Sequence, residues 1–136
     1  MQAITKVFIV DDNEKVRSDL RILFELTPSI EVIGEAENLD QVKKNLKDNL
    51  THVLILDLEF GEADGRDDNN KEEFSETYEA IRWLKKCFPA LQIFILTMYG
   101  YAEAKNAALN AGADKFFVKG RDMEKLLELL GTQAER

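Results

Sequence analysis

Four short apolar runs punctuate the chain, and each ends on a polar residue. Val7-Phe8-Ile9-Val10 runs into Asp11-Asp12, Val53-Leu54-Ile55-Leu56 into Asp57, Ile93-Phe94-Ile95-Leu96 into Thr97, and Phe116-Phe117-Val118 into Lys119. Runs of this length without polar alternation suit strands buried on both faces, as in a parallel sheet. Between them the apolar spacing becomes helical. Val16, Leu20, Leu23 and Phe24 form one face after Asp12 or Asn13, either of which can cap the helix start. Thr27-Pro28-Ser29 stops that helix, because the residue before a proline avoids the helical region. A short mixed segment at 31–36 fits an outer strand. Asn38 caps a second helix with Leu39, Val42, Leu46 and Leu50 inward. Phe74, Tyr78, Ile81, Leu84 and Phe88 predict a third helix over 71–87, closed by Pro89, with Asn70 and Glu73 as a capping box and Trp83 opposite the apolar stripe. An alanine-rich fourth helix covers 102–111 and stops at Gly112. A fifth starts near Asp122, carries Met123, Leu126, Leu127 and Leu130, and ends at Gly131.

The strands fall at 6–10, 31–36, 53–56, 92–96 and 115–118, alternating with helices. That order predicts an α/β fold, a single doubly wound (βα)5 domain over 1–136 whose parallel sheet carries helices on both faces. In such sheets ligands bind outside the carboxyl ends of the strands. Asp11, Asp12, Asp57, Thr97 and Lys119 then share one rim.

Composition narrows the function classes. The 136 residues are 45% hydrophobic and 32% charged, ordinary for one globular domain. A net charge of −8 argues against a nucleic-acid or anionic-membrane surface. The single cysteine, Cys87, excludes an internal disulfide and a thiolate metal cluster; it reads as structural and fits a reducing cytoplasm. Residues 1–6 carry no signal-peptide pattern, and no apolar run approaches the ~18 residues a membrane span needs. The charge is uneven: residues 59–76 hold eight acids against Arg66 and Lys71, a net −6 of the −8. The Gly/Asp/Asn-rich part through Asn70 reads as a solvated loop. It lacks the register of an EF-hand. His52, at the far end of the third strand, reads as a satisfied strand-edge histidine.

Three crowded carboxylates repel and raise at least one pKa unless a cation neutralises them. A hard divalent ion such as Mg²⁺ does so with oxygen ligands. An aspartate can also act as a nucleophile and form an aspartyl phosphate. With Mg²⁺ and Lys119 facing the phosphoryl oxygens and Thr97 offering a hydrogen bond, the five residues make a phosphoryl-acceptor site. Each alone has a plainer reading: Asp57 as a turn cap, Asp11-Asp12 as a helix cap, Phe116 as core. Their co-occurrence carries the chemistry.

Through Val10-Asp11-Asp12, Leu56-Asp57, Leu96-Thr97 and Ala113-Asp114-Lys115-Phe116-Phe117-Val118-Lys119, the chain resembles the receiver domain of two-component response regulators over essentially its whole length. The resemblance implies a flavodoxin-like, five-stranded sheet in the order 2-1-3-4-5. It implies phosphorylation of Asp57 by a histidine kinase or phosphotransfer protein. It also implies Mg²⁺ held by Asp12 and Asp57, by Asp11 through water, and by the backbone carbonyl of Glu59. Thr97 becomes the switch hydroxyl, Lys119 the ion pair to the phosphoryl group, and Phe116 the aromatic switch. Such a protein catalyses only its own phosphorylation and dephosphorylation. Its output is a change in contacts with a protein partner or a second copy on the face of the fourth helix, fifth strand and fifth helix, with no direct nucleic-acid or membrane contact through this domain. Nothing after Gly131 reads as an output domain, so a single-domain regulator or an excised fragment is expected.

The sequence departs from the family pattern in four places. Glu59-Phe60-Gly61 replaces Met-Pro and opens an acidic insertion at about 59–70. Met98 follows Thr97 where a small residue is usual, Gly120 follows Lys119 where proline often stands, and Phe116 lacks a tyrosine hydroxyl. Two further readings stay open at this point. One is a receiver fold without phosphoryl turnover, acting as a constitutive protein-binding module. The other is a metal-dependent phosphatase or phosphotransferase for small molecules, for which no second acid or base is visible.

Overall fold

Apolar runs without alternation require a sheet that is covered twice, and that is the arrangement found. The computed structural model describes residues 3–46, 50–59 and 74–135. In chain order the elements are β1 (Thr5–Val10), α1 (Glu14–Glu25), β2 (Ile30–Ala36), α2 (Leu39–Asn45), β3 (Val53–Leu56), α3 (Ser75–Cys87), β4 (Gln92–Thr97), α4 (Ala102–Ala111), β5 (Lys115–Val118) and α5 (Met123–Leu130), followed by a 3₁₀ turn at Gln133–Glu135. The five strands pair in parallel in the order β2-β1-β3-β4-β5. Successive residues of one strand serve opposite cores. Phe8, Leu54, Leu56 and Ile95 pack beneath α2, α3 and α4, while Ile9, Ile55, Phe94 and Phe117 pack beneath α1 and α5. Every position of β3 is buried.

Asn13 caps α1, its side chain accepting from the Val16 N–H at 3.0 Å. His52 accepts from the Lys6 N–H through Nδ1 at 2.8 Å, the satisfied role expected of it. Four expectations are corrected. Leu50 is 46% exposed, because α2 stops at Asn45. Phe74 does not extend the helical stripe: it precedes α3 with φ 66° and is buried. Trp83 does not face outward. It is half-buried, its ring edge-on to Phe88 at 5.8 Å and under Lys43 Nζ at 4.8 Å. A helical wheel counts the sheet as the burying surface and misses cover from a neighbouring helix. Cys87, expected to be structural, is exposed in the last turn of α3. The capping box at Asn70 and Glu73, and all of the acidic stretch between Glu59 and Phe74, lie outside the described residues.

The β1–β2 register shifts between Val7 and Phe8, which pair with Val32 and Gly34. A Cβ on Gly34 would sit 2.7 Å from Cε2 of the buried Phe8 ring. Gly34→Ala therefore overpacks the junction and should cost about 1–3 kcal/mol, read as a lower urea midpoint with unchanged slope.

Candidate functional site

Each acid stands where its strand stops. The Asp57 N–H donates to the Val10 carbonyl at 3.0 Å and the Asp11 N–H to the Ala36 carbonyl at 3.1 Å, so the ladders continue one residue past the strands. That holds Asp11 and Asp57 buried at the sheet edge, while Asp12 is exposed. One carboxylate oxygen from each of the three lies within 4.8 Å of the others. Lys119 Nζ reaches Asp11 Oδ2 at 3.1 Å and Asp57 Oδ1 at 3.8 Å. The Lys119 N–H donates to the Thr97 carbonyl at 2.8 Å, which fixes lysine and threonine side by side. Thr97 is fully buried, and its Oγ1 accepts from the Tyr99 N–H at 3.1 Å.

The rim is short of positive charge. Burial pushes the Asp57 carboxyl up to about 7; Lys119 opposes this, and the charges of Asp11, Glu59 and Asp12 add to it. Burial also raises Asp12, with Asp11 and Glu59 contributing. A set of hard carboxylate oxygens facing, among the described residues, the Lys119 ammonium fits a hard divalent cation. Among the described residues it is the one cluster of side chains suited to a metal.

Of the rim residues read from the sequence, Asp11, Asp12, Asp57 and Lys119 meet through their side chains, and Thr97 is joined to Lys119 through its carbonyl. Glu59 sits beside them, its carboxylate accepting from the Tyr99 hydroxyl at 2.7 Å. Phe116 is set back along β5, half-buried against the core under α2, α3 and α4. Met98 is 70% exposed, and Gly120 takes φ 83°. Two features escaped the sequence. Tyr99 links the segment after β4 to Glu59 and packs its ring 5.2 Å from Phe74. Arg17 donates through Nη1 to the main-chain carbonyl of Asp11 at 2.6 Å. Its place one turn past the acids was visible; its partner was not.

The family described as "Response regulator receiver domain" matches residues 7–131. The chain belongs to this family. The receiver is 32% identical to the DNA-binding transcriptional activator DevR/DosR of Mycobacterium tuberculosis over 132 residues, which cover 95% of this chain and 55% of that protein. It is 33% identical to protein-glutamate methylesterase/protein-glutamine glutaminase 1 of Carboxydothermus hydrogenoformans, over 92% of this chain and 34% of that protein. The chain thus spans about half or less of these curated relatives. Among solved structures, the isolated REC domain of RcsB from Salmonella enterica serovar Typhimurium, in the presence of phosphomimetic BeF3⁻, aligns with a TM-score of 0.73 at 28% identity, covering 93% of this chain and 88% of that one. Among the described residues, no helix of the receiver is long and apolar enough to cross a membrane.

Proposed function

We propose that this receiver is the phosphoryl acceptor of a cytoplasmic two-component relay, with Asp57 as the nucleophile. The observation that carries the reading is the buried Asp57 carboxylate, within 4.8 Å of Asp11 and Asp12 oxygens and 3.8 Å from Lys119 Nζ. In the transfer an Asp57 oxygen bonds to phosphorus, and the bond to the donor's nitrogen or oxygen breaks with its electron pair leaving on the donor. The donor is a histidine kinase or a phosphotransfer protein. Asp12, Asp57, the Glu59 main-chain carbonyl and, through water, Asp11 would hold Mg²⁺, whose charge offsets that of the phosphoryl oxygens and keeps Asp57 ionised.

Lys119 is already beside both buried acids and exchanges part of that pairing for the phosphoryl group. The Thr97 hydroxyl turns toward the same oxygens, releasing the Tyr99 N–H, while Phe116 packs inward. These movements shift the population of two states. The output is an altered contact with a protein partner or a second copy on the α4–β5–α5 face. The catalysis is confined to the receiver's own phosphorylation and dephosphorylation.

Acetyl phosphate with Mg²⁺ should add one phosphate to the wild-type chain by intact mass and none to Asp57→Ala. An adduct that persists in Asp57→Ala overturns the assignment. Donor consumption that continues in Asp57→Ala indicates an enzyme instead. A folded wild-type chain that takes no label is the constitutive binding module.

A further inference from the structure

Arg17 joins the acid loop to the sheet's edge strand. Its side chain is 11% exposed, and it makes two kinds of bond. Nη1 donates to the Asp11 carbonyl at 2.6 Å, and Nε donates to Glu35 Oε1, on β2, at 2.9 Å. Glu35 also accepts from Arg21. Asp11 is held on every side: Oδ1 accepts from the Asn13 N–H at 2.9 Å, Oδ2 from Lys119, and the carbonyl from Arg17. That carbonyl belongs to the peptide plane shared with Asp12. A peptide is planar, so gripping its oxygen fixes the direction in which the Asp12 backbone leaves.

We propose that Arg17, anchored by Glu35, is a positioning residue that orients the Asp11–Asp12 peptide so that the exposed Asp12 carboxylate meets Asp57 on one divalent cation. The inference rests on the phosphoryl-acceptor reading above, which needs that cation. Glu35 has a second effect. It balances the guanidinium and keeps it turned to the backbone, where an unpaired guanidinium would be drawn among three carboxylates as an internal competitor for the cation.

For Arg17→Met, charge and positioning predict opposite signs, which makes that variant the deciding one. Removing a positive group near three carboxylates tightens cation binding if only charge matters. Removing a positioning group weakens it, and loss of an outer-shell partner typically costs about 10–100-fold in metal affinity. The measurement is the Mg²⁺ dissociation constant of the full chain, followed by amide NMR shifts, for wild type, Arg17→Met, Arg17→Lys, Glu35→Gln and Arg21→Met. Arg17→Met and Glu35→Gln should weaken binding about 10-fold or more on that scale. Arg17→Lys keeps the charge but loses the two-pronged donor and should weaken it too, and it serves if Arg17→Met does not fold. Arg21→Met removes the other Glu35 partner without touching Asp11 and should leave the constant unchanged. Equal or tighter binding by the Arg17 variants overturns this inference alone, as does equal weakening by Arg21→Met. A wild-type chain that binds no Mg²⁺ overturns the phosphoryl-acceptor reading itself.

Discussion

Replacing Asp57 with asparagine is expected to flatten the pH dependence of stability in the cation-free receiver. Burial raises the Asp57 carboxyl from 3.8 to about 7 in the folded chain. The native state therefore holds a proton that the unfolded chain has already released. The sign follows: the contribution is complete below about pH 4 and is lost as pH rises through about 7. A tenfold difference in proton affinity is worth about 1.36 kcal/mol, so the loss is up to ~4 kcal/mol by pH 8. Asparagine keeps the shape and carries no charge. Urea unfolding in EDTA should show wild type falling between pH 5 and pH 8, with Asp57→Asn losing most of that fall. The Asp12 carboxyl is raised too, by burial first and then by Asp11 and Glu59, so its contribution has the same sign. Equal falls in both proteins count against the buried, raised carboxyl.

The second large effect concerns the ammonium. Lys119 faces Asp11 and Asp57, whose side chains are only 4% and 9% exposed. Deleting one partner of a buried ion pair leaves an uncompensated charge and costs about 3–5 kcal/mol. Lys119→Met should lose stability on that scale at pH 8 in EDTA. Less should be lost at pH 5, where Asp57 takes up a proton and removes one of the two orphaned charges. Because both mutations act on one contact, Lys119→Met with Asp57→Asn should be more stable than additivity predicts. Additive costs in the double variant, or a Lys119→Met penalty independent of pH, contradict the arrangement.

The sheet and the rim were legible for one reason: a parallel strand buried on both faces is written as an unbroken apolar run, so its end is marked by the first polar residue. Val53 to Leu56 followed by Asp57 is the clearest instance, and β3 has those bounds. Lys119 could be placed beside Asp11 only through topology, since nothing local joins them. What was lost in the sequence is what depends on side surfaces and main-chain atoms. Trp83 lies off the apolar stripe of α3, yet the Lys43 side chain on α2 covers it. Phe74 keeps the helical spacing of α3 but stands in the left-handed region ahead of it. The role of Arg17 rests on a carbonyl oxygen, which every residue has, and on Glu35, which lies eighteen positions away on another element. A residue-type pattern registers neither.

The Asp11–Lys119 pair spans 108 residues of chain. A ribosome making this protein delivers the aspartates and Thr97 first and the lysine last of the five, several seconds after Asp11 at roughly 5–20 residues per second. Until β5 docks, three carboxylates crowd one edge without the Lys119 ammonium, and Asp57 resists burial as an anion. Contacts this distant are also the slowest to form, because loop closure precedes their reward. A nascent or nicked chain without its final strand has no assembled acceptor, so the ability to carry a signal is itself a report that the whole sheet has closed.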